Sequence, residues 1–240
     1  MSTFVLIHGA WHGAWCWNKV VPELEALGHT AVAPDLPGLG DDPRPPRGIT
    51  LEDYIDCIVR TLDAQQGKVF LLGHSMGGMA ISGAAELRPA KLHWLIYLAA
   101  FLPRDGECLL AIEERNPDPR VPPNVIPSED HEVLTLREEK ITELLYNDCT
   151  AADAAWARER LRPQSAKPLS GAVHLTDRNF GRVPRAYIEC TEDGAIGVAF
   201  QRDMIRASSC QRVITLRAGH SPFLSVPRQL AGVLSDIAAG

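Results

Sequence analysis

Short aliphatic and β-branched runs alternate along this chain with segments of helical period, and few architectures accept that alternation. Thr3–Ile7, Thr30–Ala33, Val69–Leu72, Trp94–Ala100, Arg185–Cys190 and Arg212–Leu216 read as strands. Between them, Trp17–Leu27 carries Val20, Val21, Leu24 and Leu27 at helical spacing and stops at Gly28, a natural residue just past a helix end. Thr50 opens a second helix, with Asp53 three residues on completing a capping-box pattern and Leu51, Ile55, Ile58, Val59 and Leu62 forming its apolar stripe. Further helices follow Ser75 to about Arg88, cover Val198–Ile205, and begin near Pro227. Strands separated by helices build βαβ units. The fold expected is therefore α/β, a mostly parallel sheet of about six strands with helices on both faces.

One stretch breaks the rhythm. Residues 102–182 hold a proline-rich loop, NPDPRVPPNVIPSED, and two charged amphipathic helices, near Leu136–Leu145 and Thr150–Leu161, the second with its own Thr150/Asp153 capping pattern. No strand is expected there. A helical insertion between two sheet strands is most simply a cap over the sheet's C-terminal edge. The reading is one domain, 1–240, with a core of 1–101 and 183–240 and a cap of 102–182.

Composition narrows the function classes. The formal charge is -6, and Lys and Arg are scattered, which argues against a nucleic-acid or anionic-membrane partner. The six cysteines lie far apart, with no CxxC pair and no Cys/His cluster. That argues against a zinc site or a disulfide scaffold and for a reducing compartment, the cytoplasm. No apolar stretch is long enough to span a bilayer. No metal or organic cofactor is implied, and the full GxGxxG fingerprint is absent. The number of copies in the assembly is left open, a homodimer included.

The motif that carries chemistry is LLGHSMGG, Leu71–Gly78. It sits at a strand–turn–helix junction, the setting in which GxSxG exposes a serine at the head of a sheet. Gly73 and Gly77 are required where strand and helix approach, and Ser75 is expected in strained backbone geometry. A serine hydroxyl needs an adjacent base, and in folds of this type an acid and then a histidine follow later in the chain. Asp193, in IECTEDGAI, and His220, in TLRAGHSPF, both fall just beyond strand ends, on the same edge as Ser75. Glu189 and Glu192 are rival carboxylates. Glu189 lies within the strand and Glu192 one residue earlier on the loop, so Asp193 is preferred. Of eight histidines, only His220 has both the chain order and the strand-end position; His8 is expected to hold its turn and His74 to pack under the serine. The amides of Ala10, in the loop HGAWHGAW, and of Met76 are the expected oxyanion donors. Trp11, Phe101 and Phe223 adjoin these loops and are candidates to line an apolar pocket, with Trp156 of the cap to close it; ordinary core packing explains each as well.

Taken together, FVLIHGAWHGAWCWNKVVPELEALGHTAVAPDLPGLG, GHSMGG, YLAAF, YIECTED and AGHSPF resemble the plant methylesterase and hydroxynitrile lyase branch of the α/β-hydrolases, and bacterial esterases related to it. The resemblance covers the sheet-forming parts; the cap matches loosely. It implies an α/β-hydrolase fold, a triad on Ser75, Asp193 and His220, and an oxyanion hole at Ala10 and Met76. The lyases place a threonine after the first histidine and a lysine after the last. This chain has Gly9 and Ser221 there, so the resemblance implies an esterase acting on a small-molecule ester through an acyl-enzyme. The alternatives are hydrolysis of a lactone, carbamate or amide by the same machinery, or a ligand receptor on a hydrolase scaffold.

Overall fold

The computed structural model describes all 240 residues. The first half of the chain lays down β1 (Thr3–Ile7), α1 (Val20–Ala26), β2 (Thr30–Val32), α2 (Leu51–Asp63), β3 (Val69–His74), α3 (Gly77–Leu87) and β4 (Leu92–Leu98). The capping box that opens α2 is present in full. Thr50 Oγ1 accepts from the Asp53 N–H, and the Asp53 carboxylate accepts from the Thr50 N–H at 2.8 Å.

Residues 102–182 contribute α4 (Leu109–Glu113), β5 (Val125–Pro127), β6 (Val133–Leu136), α5 (Glu138–Leu145), α6 (Ala151–Arg158), β7 (Gln164–Ser165) and α7 (Lys167–Ser170). The purely helical cap expected from the sequence is corrected here, because β5, β6 and β7 form a three-stranded antiparallel sheet. None exceeds four residues, too short to display alternation, and Pro127 is tolerated only because β5 is an edge. The expected helix from Leu136 starts at Glu138, since Leu136 is the last residue of β6.

The chain then returns to the main sheet with β8 (Arg185–Cys190), α8 (Val198–Ser208), β9 (Arg212–Leu216), the short α9 (Pro222–Ser225) and α10 (Pro227–Ala239). The sheet has six strands in the order β2-β1-β3-β4-β8-β9, every pairing parallel. All six residues of β3 are buried, which requires cover on both faces. That cover comes from helices, with α1 packed on α10 and α2 on α3. Cap and sheet share one hydrophobic core, in which Leu144, Leu145 and Ala157 of the cap join Leu71, Ile96 and Ile188 of the sheet. No helix is long and apolar enough to cross a membrane.

With every main-sheet strand running the same way, the loops after β1, β3, β4, β8 and β9 open at one edge. Residues far apart in sequence meet there.

Candidate active site

Ser75 is the first of the two residues between β3 and α3 and has φ of +54°, a left-handed conformation costly for a serine. Its backbone is pinned on both sides: its N–H donates to the Leu98 carbonyl at 3.3 Å, and its carbonyl accepts from the Phe101 N–H at 3.1 Å. The turn closes only because its flanks lack side chains. A Cβ on Gly73 would stand 2.7 Å from the Gly77 carbonyl oxygen, and one on Gly78 would overlap the Phe101 carbonyl.

The loop after β1 is held by two histidines. His8 Nδ1–H donates to the Gly9 carbonyl, leaving Nε2 to accept from the Leu36 N–H at 3.0 Å. His12 Nδ1–H donates to the Ala10 carbonyl, and its Nε2 accepts from the Tyr146 hydroxyl at 2.8 Å, joining the loop to the cap. Burial pushes His8 down to about 4 and His12 to about 3, so both stay neutral. The loop leaves the backbone N–H of Ala10 without a protein acceptor, as the elbow does that of Met76, and both residues line the cavity described below.

His220, on the loop after β9, is 2% exposed, and its Nδ1–H donates to Asp193 Oδ2 at 2.9 Å. Asp193 follows β8, and its other oxygen accepts from the N–H groups of Ala195 and Ile196 at 2.7 and 2.8 Å. The rival carboxylates are engaged elsewhere. Glu189 pairs with Arg202 at 2.7 Å and Glu192 with Arg217 at 2.7 Å. His74 packs beneath, its Nε2–H donating to the His220 carbonyl at 2.8 Å.

Ser75 and His220 share one wall of a cavity of about 360 Å³ without a direct hydrogen bond between them, a contact that often tightens only when substrate binds. Trp11 and Phe101 also line it. Phe223 does not. It is wholly buried on α9, edge-on to His74 and 5.1 Å from the ring of Trp17, because the turn after His220 carries the chain back into the core. Trp156 is likewise outside the cavity, its edge against Trp15 and the Arg160 guanidinium over its face.

Gln201 is a site residue that the sequence reading missed. Fully buried on α8, it donates to Asp193 Oδ2 at 3.1 Å while its side-chain oxygen accepts from the Cys190 N–H. A glutamine on the apolar face of α8, between Phe200 and Met204, was the available signal. The cap also clamps the two acid and base loops: Asp148 accepts from the Gly219 N–H at 2.6 Å, and Asn147 donates to the Glu192 carbonyl at 2.8 Å.

Comparison with known proteins agrees with this fold. The profile of the Alpha/beta hydrolase family matches residues 4–233. Salicylic acid-binding protein 2 of Nicotiana tabacum is 36% identical over 98% of this chain and 96% of its own. Methylesterase 7 of Arabidopsis thaliana is 33% identical over 98% and 95%. The crystal structure of polyneuridine aldehyde esterase superposes with a TM-score of 0.90 at 30% identity, covering 99% of both chains.

Proposed function

The chain belongs to the alpha/beta hydrolase family and, like the esterases it resembles, is a carboxylic ester hydrolase; we propose that it works through a Ser75–His220–Asp193 triad and an acyl-enzyme. The observation that carries this reading is that the strained Ser75 and the Asp193-bound His220 face one cavity. With its Nδ1 proton held by Asp193, His220 presents the Nε2 lone pair as base. Ser75 Oγ attacks the ester carbonyl carbon as Nε2 takes its proton. The same proton then passes to the departing alcohol, and a water molecule, activated in the same way, releases the acid and restores Ser75.

Negative charge develops on the carbonyl oxygen at each addition. The unpartnered N–H groups of Ala10 and Met76 receive it, each worth about 3–4 kcal/mol of barrier. The cavity, with 14 hydrophobic residues among its 19, suits a small, largely apolar ester. The six free cysteines support a reducing, cytoplasmic setting.

Fluorophosphonate labelling followed by peptide mapping tests nucleophile and base together. Modification of Ser75, abolished in Ser75→Ala, is the expected result; label elsewhere, or none in a folded protein, overturns the triad. A panel of methyl and aryl esters, lactones and carbamates should give its highest kcat/KM with an ester. Faster cleavage of a C–N bond would overturn the substrate class.

A further inference from the structure

Besides Ser75, His12 and His220, the cavity wall carries a single polar side chain, Glu113. His12 is satisfied at both nitrogens, and Ser75 and His220 are assigned to bond cleavage, so Glu113 alone has no role in the reaction. Its surroundings are apolar, with Leu109, Leu110 and Val121 sharing the same lining. One oxygen, Oε1, accepts from Asn116 Nδ2 at 2.9 Å. No cation reaches the carboxylate: the nearby Arg115 pairs with Glu107 at 2.9 Å, and Arg120 with Asp118 at 2.7 Å. Glu113 is also the last residue of α4, where the helix dipole disfavours negative charge. Burial accordingly pushes its carboxyl up from the ordinary range.

Glu113 is half-buried on the cavity lining and its second oxygen has no protein donor, so a donor on a bound molecule can take the place of water there. We propose that Glu113 is a specificity-determining residue that selects esters carrying a hydrogen-bond donor, a hydroxyl or a protonated amine, remote from the ester bond. The inference rests on the esterase reading of the same cavity. It separates two ends of the site: Ser75 and the Ala10 and Met76 amides take the ester group, and Glu113 takes the far end of the acyl or alcohol part. It also works against substrates with a distal carboxylate, which would meet Glu113 as a like charge.

The test compares kcat/KM for methyl esters of ω-hydroxy and ω-amino acids of six to eight carbons with the parent alkanoates and with monomethyl adipate, and the acetates of matching diols and amino alcohols with simple alkyl acetates. In the native protein the best donor-bearing ester should exceed its parent by about tenfold or more, the rate equivalent of one hydrogen bond to a charged group. Glu113→Leu should bring that ratio to about one. Glu113→Gln keeps an oxygen for Asn116 and should lose the amine preference, retain part of the hydroxyl preference and accept monomethyl adipate better. Should the leucine variant fail to fold, the near-isosteric glutamine variant carries the test. Donor-to-parent ratios unchanged in the variants, or a native preference for the parent alkanoates, overturn the proposal. Failure of every ester together with absent Ser75 labelling would instead overturn the esterase reading beneath it.

Discussion

Asp193 and His220 are joined at 2.9 Å, and both side chains are buried, the one 3% and the other 2% exposed. Asp193 is itself fixed by two backbone N–H groups and by Gln201, so the carboxylate cannot swing away from the imidazole. A buried carboxylate with that many donors serves to hold a ring in one orientation and one tautomer.

Asp193→Asn should therefore lower kcat by about 10³–10⁴, because an amide nitrogen toward Nδ1 forces the wrong tautomer on His220, while KM changes little. Steady-state kinetics on any good ester checks this. A loss under tenfold would mean that Asp193 does not orient the base.

Gln201→Leu removes support one step further out. It should cost about 1–3 kcal/mol in stability, since the Cys190 N–H loses its acceptor, and about tenfold in kcat with KM unchanged. Urea unfolding and kinetics on the same preparation separate the two effects. A stability loss with an intact kcat would make Gln201 a packing residue only.

Much of this frame was legible in the sequence because a parallel sheet is buried on both faces and its strands read as continuous apolar runs, as in VFLL before Gly73. Strand-end position was enough to bring Asp193 and His220 to one rim. The cap was less legible. Its strands are two to four residues long, and their pairing depends on partners as far off as Ser165 is from Val133, about thirty positions along the chain. Phe223 shows the same limit at one residue: three positions past His220, it is carried inward by the turn into α9, which local pattern does not reveal. Gln201 and Glu113 were missed for a related reason. A lone polar residue acquires meaning only from what tertiary packing places beside it.

Gly9 is where the lyase pattern and this structure part. A Cβ there would lie 2.8 Å from the Ser75 Cβ and 3.0 Å from His74 Nδ1, so any side chain must displace the elbow. Gly9→Ala should lower kcat/KM at least about tenfold and cost about 1–3 kcal/mol of stability, the usual range for overpacking a tight core. Gly9→Thr should be worse in both and should release no cyanide from mandelonitrile above background. Near-native esterase activity in Gly9→Thr would show that the elbow yields more readily than this packing implies.

The buried histidines set how stability depends on pH. With His12 pushed down to about 3 in the folded state, it is neutral in both folded and unfolded chains above the ordinary imidazole value near 6.5, and no penalty arises there. As pH falls below that value the unfolded chain binds a proton that the folded one refuses, so stability is lost progressively, by about 3 kcal/mol at pH 4 for this residue alone. His8, pushed down to about 4, adds loss of the same sign over the upper part of that window. His12→Asn keeps a donor for the Ala10 carbonyl and should be less stable at neutral pH, having lost the Tyr146 hydrogen bond, yet lose less on acidification. Denaturant midpoints at pH 7, 5.5 and 4 measure both slopes. Parallel slopes in native and variant proteins would mean that His12 takes up its proton without unfolding, and that the bond joining the first loop to the cap does not depend on a neutral imidazole.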